Sequence, residues 1–330
     1  MLRRIVFILM LTAICIQPVS AETIKWVDFQ VPYESLKYAM DADISTYEGE
    51  KHISWIDTLA VAGCRTGGRC DLRSVKKAVQ DLKGNKAPSQ LGGKHFDYYH
   101  QVYEAVLGGM LGSYAIEKDG QWVPTYGLKA FSPIAAGYGY SHCSDFGNSR
   151  SFGFKRKHLG NDLMGASGTP ITAVEGGVVE AMGWNRYGGW RIGIRSFDSK
   201  RYYYYAHLQK DHPFADGLQV GDMVQPGQLI GFMGRTGYSD KENVNNIETV
   251  HLHFGMELIF EEWQKECNNE IWIDVYPLVK LLSGHRCSYK KENGTWNRIY
   301  PFKDLDVTEF CRSETGWQNS QKIYNYCLTK

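Results

Sequence analysis

The sequence predicts an α+β protein: a small helical N-terminal domain, then an antiparallel all-β domain, then a cysteine-containing tail. Three observations carry this. Apolar residues recur at helical spacing as far as about Tyr114. Beyond Tyr126, glycine becomes frequent and short β-branched or aromatic runs alternate with turn residues. From Gly284 onward neither pattern persists, and three cysteines fall in that stretch. The expected boundaries are 1–21 for a cleaved leader, 22–130 for the helical domain, 131–283 for the β domain and 284–330 for the tail.

The leader is read from "MLRRIVFILMLTAICIQPVSAET". Arg3 and Arg4 precede an apolar run from Ile5 to Ile16, and Val19-Ser20-Ala21 supplies small residues at a cleavage position. The run is 12 residues long, short of the roughly 20 that span a bilayer. Secretion is therefore expected, with an uncleaved N-terminal anchor as the alternative and no stable transmembrane span after cleavage. In the helical domain, "VPYESLKYAMDADI" opens with Pro32 at a helix-start position. "ISWIDTLAVAGC" is a second helix stopped by Gly67-Gly68. Asp71 caps "LRSVKKAVQDL", and "HFDYYHQVYEAVLGGML" is the fourth. Five strand-rich units follow: "TPITAVEGGVVEAMGW", "WRIGIRSF", "KRYYYYAHL", "GDMVQPGQLIGFMG" and "VHLHFGMELIF". "WIDVYPLVKLL" reads as a closing helix.

Composition narrows the function classes. The chain has 330 residues, is 43% hydrophobic and 22% charged, and has a formal net charge of +1. No strong field points to nucleic acid. Of eight cysteines, Cys15 lies in the leader. Export makes disulfides an expectation for the other seven, with at least one left over. No C-x-x-C spacing occurs, which argues against a thiolate zinc site.

"VHLHFG" at 250–255 is the first chemical signal. On a strand His251 and His253 face the same way, about 7 Å apart, while Leu252 and Phe254 face a core. Alone, such a pair is an ordinary surface feature. "KHLGNDLMG" adds His158 and Asp162, four apart, with Gly160 between them to allow a turn. His158, Asp162 and one histidine of the 251/253 pair would make three protein ligands with a fourth position open for water. His207 ends the aromatic strand "YYYYAHLQ", where Tyr203 and Tyr205 are expected to share its face. Without H-E-x-x-H there is no helix-borne glutamate base, so a histidine would take that role. His142, His212 and His285, and likewise His52, His95 and His100, match no ligand pattern. Glu175 and Glu180 read as turn or exposed-strand carboxylates.

"HLGND", "YYAHL" and "HLHF", in that order, resemble the motifs of the lysostaphin/LytM-type zinc endopeptidases that cut peptidoglycan. The resemblance covers about residues 131–283 and includes "SDFGNSR", "GTPITAVEGGVVEAMGWN" and "VGDMVQPGQLIGFMGRTGYS". The helical part resembles the leader domain of clostridial members. The resemblance implies one zinc ion per chain on His158, Asp162 and His253, with His207 and His251 as the catalytic pair. It also implies a peptidoglycan peptide substrate and cell-wall association. Tyr205 is expected to be structural rather than a substrate-orienting group. The chain departs from the family at Asp240–Glu248, a polar insertion expected to form a loop beside the groove. Two other classes compete. A non-catalytic relative that binds wall material or a partner would be expected to lack a ligand or a catalytic histidine. A lipoyl-type carrier would need a lysine at an exposed turn, and none lies between His158 and Phe197.

Overall fold

The computed structural model describes residues 23–305, apart from 28, 266–268 and 300. The expected leader, Cys267, Cys311 and Cys327 lie outside the described residues.

The helical layer comprises α1 (Tyr33–Thr46), α2 (Trp55–Thr66), α3 (Leu72–Leu82), the short α4 (Pro88–Gly92) and α5 (Phe96–Leu107). Its ends follow local chemistry. The Ser54 side chain accepts hydrogen bonds from the first turn of α2, and Asp71 accepts one from Ser74 N at the start of α3. Gly67 closes α2 with a left-handed φ of 63°. Leu36, Leu59, Val75 and Val106 are fully buried between these helices.

The fourth expected helix stops earlier than its sequence pattern suggests. α5 ends at Leu107, and Leu111–Lys118 forms a strand, β1, paired with β2 (Gln121–Leu128). Packing decides this. A Cβ at Gly109 would lie 1.5 Å from Glu175 Oε1, so here the backbone itself presses on the β domain.

The main sheet is antiparallel. Its strands are β3 (Ser141–His142), β4 (Asn161–Met164), β6 (Gly177–Asn185), β7 (Gly189–Ser196), β8 (Arg201–Ala206), β9 (Met223–Val224), β11 (His251–Leu258) and β12 (Ile271–Ile273). The order is β9-β6-β7-β8-β11-β4-β3, with β12 pairing the second half of β11. A separate pair, β5 (Pro170–Thr172) with β10 (Leu229–Phe232), lies in the same apolar core. The expected closing helix is shorter than its pattern: Ile271–Ile273 is strand, and α6 runs Tyr276–Leu282. From the tail, β13 (Phe302–Asp304) pairs with β1, and Asp304 meets Lys129 at 3.2 Å.

Glu175 and Glu180 correct the sequence reading, since both are buried. Arg201, 1% exposed, binds Glu175 through Nε and a terminal nitrogen at 2.8 and 3.0 Å and donates to the Ala105 carbonyl at 2.8 Å. Tyr203 donates its hydroxyl to Glu175 at 2.5 Å. Arg195 pairs with Glu180 at 2.9 Å. Alternation along a strand cannot reveal that a carboxylate has a buried arginine across from it. Among the described residues, Cys64, Cys70, Cys143 and Cys287 carry free thiols.

Candidate metal centre and groove

β11 alternates as expected. Leu252 and Phe254 are 0% and 2% exposed in the core, while His251 and His253 face a groove on the opposite side. The register sets His253 between Asp162 on β4 and Ala206 on β8. His158 reaches the same point from the turn before β4. Gly160 is needed there for close approach, since a Cβ would lie 2.8 Å from the His253 ring and 2.6 Å from the Phe254 carbonyl.

Donor atoms of His158, Asp162 and His253 all lie within 4.8 Å of one another. His158 Nε2 stands 2.7 Å from His253 Nδ1 and 3.1 Å from Asp162 Oδ1, and His253 Nδ1 is 3.3 Å from that oxygen. Bonds of about 2.0–2.1 Å to a tetrahedral zinc ion put neighbouring ligand atoms about 3.3 Å apart. This triangle has nearly that size. Two neutral imidazoles and a carboxylate also form a suitable set for a divalent ion. Burial opposes ionisation of Asp162, but hydrogen bonds from His158 and His253 outweigh it and hold the carboxyl below the usual range.

Neighbours that sequence reasoning passed over hold these side chains. The Asp145 carbonyl lies 3.1 Å from His158 Nδ1, which directs Nε2 toward the other donors. Arg150 spans Asp145 at 2.7 Å and the second Asp162 oxygen at 3.0 Å. Both residues belong to "SDFGNSR", whose position before the first ligand motif was the only signal.

His207 reaches the groove by an irregularity. Continued alternation would send it into the core with Tyr203 and Tyr205, the face expected from sequence. Instead β8 ends at Ala206, and His207 has a left-handed φ of 62°, which turns its ring toward His251, 4.8 Å away between centroids. Its Nδ1 is 2.9 Å from the Thr236 carbonyl, and His251 Nδ1 is 2.8 Å from the Thr249 carbonyl. With both Nδ1 protons donated to carbonyls, both Nε2 atoms present lone pairs. Burial first, then His251, lowers the His207 pKa well below its ordinary value and keeps the ring neutral. Tyr205 is not in the groove; its hydroxyl accepts from Val174 N at 2.9 Å inside the core.

The groove holds about 550 Å³. Tyr187 and Tyr238 wall it near the histidines, with Arg156 over the Tyr187 ring at 4.7 Å. Tyr204, Tyr202, Trp272 and Glu257 line it further along. Tyr238, just before the polar insertion, reaches the groove, whereas 240–248 do not line it. Asn243 ties the insertion to the sheet through Trp190 Nε1 at 2.9 Å. His142, His212 and His285 lie elsewhere, each stacked on an aromatic ring.

Residues 156–267, which include all five histidine and aspartate positions, match Peptidase family M23. Over that segment the chain is similar to the family's members. Its relatives include the L-Ala–D-Glu endopeptidase of Bacillus subtilis, 38% identical over 160 residues, which are 48% of this chain and 45% of that protein. Lysostaphin of Staphylococcus staphylolyticus is 38% identical over 98 residues, 29% of this chain and 18% of that protein. The match thus spans less than half the length of either relative. The LytM structure from Ruminococcus gnavus superposes with a TM-score of 0.52 at 23% identity, covering 79% of this chain and 92% of that one. That fold therefore extends beyond the matched segment into the helical region. Among the described residues no helix is long and apolar enough to cross a membrane.

Proposed function

We propose that this chain is a secreted zinc metalloendopeptidase that hydrolyses amide bonds in the peptides of bacterial peptidoglycan. The observation that carries the reading is the convergence of His158, Asp162 and His253 within 4.8 Å, beside two histidines whose Nε2 atoms face the same space. His158 Nε2, His253 Nδ1 and Asp162 Oδ1 would hold the ion. Zinc bound there would supply a water of lowered pKa and polarise the carbonyl under attack. One of His207 and His251 would accept the water's proton at Nε2, and a ring that has gained that proton would donate a hydrogen bond to the oxygen that gains charge. The longer match to the L-Ala–D-Glu endopeptidase, 160 residues against 98 for a glycyl-glycine endopeptidase, favours an L-Ala–D-Glu bond over a glycyl-glycine bond.

The test is digestion of purified peptidoglycan by the full chain with zinc, with and without a chelator, and mass spectrometry of the products. New free amines that disappear with the chelator are expected. New reducing sugar ends, or wall binding with no release by a zinc-loaded chain, would sink the proposal.

A further inference from the structure

The groove continues past the histidines to a second built feature. Glu257 follows His253 on the same face of β11, about 13 Å along the strand. It is 5% exposed, and its Oε1 has no hydrogen-bond partner among the described residues. Burying a carboxylate oxygen unpaired is costly, and native folds seldom leave one so.

The surroundings define what would satisfy it. Glu257 is flanked across the sheet by Tyr202 on β8 and Trp272 on β12. Between it and the metal centre lies Gly255, where a Cβ would come within 2.9 Å of the Trp272 ring. Trp272 meets Tyr204 edge-on, with centroids 6.1 Å apart. The passage toward Glu257 is thus walled by aromatic rings. At its end, Glu180 and Glu270 join Glu257; the nearby cations Arg195 and Lys265 are engaged by Glu180 and Glu262, and Arg191 lines the groove beside Tyr202 and Tyr204. Burial, then Glu270, pushes the Glu257 carboxyl up to about 8, and the pull of Arg195 and Lys265 in the other direction does not outweigh them. Aromatic walls suit an aliphatic stem, and an acidic end suits a cationic head.

We propose that Glu257 anchors the side-chain ammonium of a lysine-like diamino-acid residue in the substrate peptide. This rests on the endopeptidase reading and narrows it to peptides that carry a free side-chain amine near the cut bond. The amine-bearing side chain lies along the groove over the Trp272–Tyr204 pair, and its ammonium donates to Glu257, which gives up its own proton to solvent as it binds.

The test is calorimetric titration of the full zinc-loaded chain with an Ala–D-Glu–Lys tripeptide, N-methylated at its first amide to block cleavage, and with its Nε-acetyl analogue. The free amine should bind about tenfold tighter or more, the scale of a charge-assisted hydrogen bond. Glu257→Gln, close to isosteric, should bring that ratio near one. Equal binding of both peptides, binding of neither, or a ratio that survives Glu257→Gln would overturn the proposal. Because nothing is cut in this titration, a preserved ratio in a chain that releases nothing from peptidoglycan would separate failure of the endopeptidase reading from failure of this one.

Discussion

Glu175, on the core side of the main sheet, and Glu257, on the groove side, are both buried and are treated differently, while Glu180 at the groove is paired with Arg195. On the face toward the helices, Glu175 accepts two hydrogen bonds from Arg201 and one from Tyr203. Arg201 is in turn held by Asp198 at 2.8 Å and by the Ala105 carbonyl of α5. On the groove face, Glu257 is just as buried and its Oε1 is left unpaired. The first arrangement is what a fold needs to join two layers, because removing either partner would strand a charge in the interior. The second leaves an oxygen that, among the described residues, is open to a ligand in the groove. A buried charge that is fully satisfied is structural, and one left unsatisfied beside a groove points to a ligand.

This contrast can be broken most sharply at the metal end of the groove. His253→Ala should lower hydrolysis of peptidoglycan by about three orders of magnitude or more. With a chelator present, its melting temperature should stay within about 2 °C of the parent's. A large loss of stability in the metal-free state would mean that the groove face is structural after all. On the other face, Arg201→Met should destabilise the fold by about 3–5 kcal/mol in denaturant unfolding, by leaving Glu175 without its counter-charge. Adding Glu175→Gln should recover part of that loss, and no recovery would count against the pairing described here.

Smaller effects sharpen the picture. Asp145→Asn should weaken zinc affinity about 10–100-fold in a competition titration, through looser orientation of His158. Unchanged affinity would show that the carboxylate of Asp145 contributes nothing beyond its backbone carbonyl. Glu257→Gln should raise the melting temperature by a few degrees at pH 9. The sign follows from linkage. Glu257 is held at about 8 in the fold, above its ordinary value of 4.5, so the folded state binds its proton more tightly than the unfolded chain. Stability from this group is complete below about pH 4.5 and is lost as pH rises to about 8. The advantage of the glutamine variant should therefore grow from pH 5 to pH 9. A flat difference would mean that Glu257 titrates normally.

Much of the site was readable from local pattern. Period-two alternation placed His251 and His253 together and sent Leu252 and Phe254 inward, and the structure has that arrangement. Asp71 as a helix cap and Gly67 as a helix stop were equally local. The residues that were misread depend on partners distant in sequence. Alternation put His207 with Tyr203 and Tyr205, but one left-handed residue after β8 reverses its face. Glu175 and Glu180 looked like turn and surface carboxylates because Arg201 and Arg195, which bury them, arrive from later strands. α5 stops at Leu107, at the Gly108-Gly109 pair, and beyond it the chain at Gly109 meets Glu175, a contact that helical periodicity does not encode.

The sequence by itself determined the order of helical and β regions, the helix caps, and the two strand histidines on one face. These depend on interactions spanning a few residues, where backbone geometry leaves little choice. Only the tertiary structure decided which carboxylates are satisfied and that Asp145 and Arg150 brace the metal ligands. It also decided that, among the described residues, Glu257 Oε1 has no partner at the end of an aromatic passage. Each of these rests on strand register and packing between segments tens of residues apart. Whether a buried charge has a partner is set by that packing, because a counter-charge can stabilise it only at contact distance.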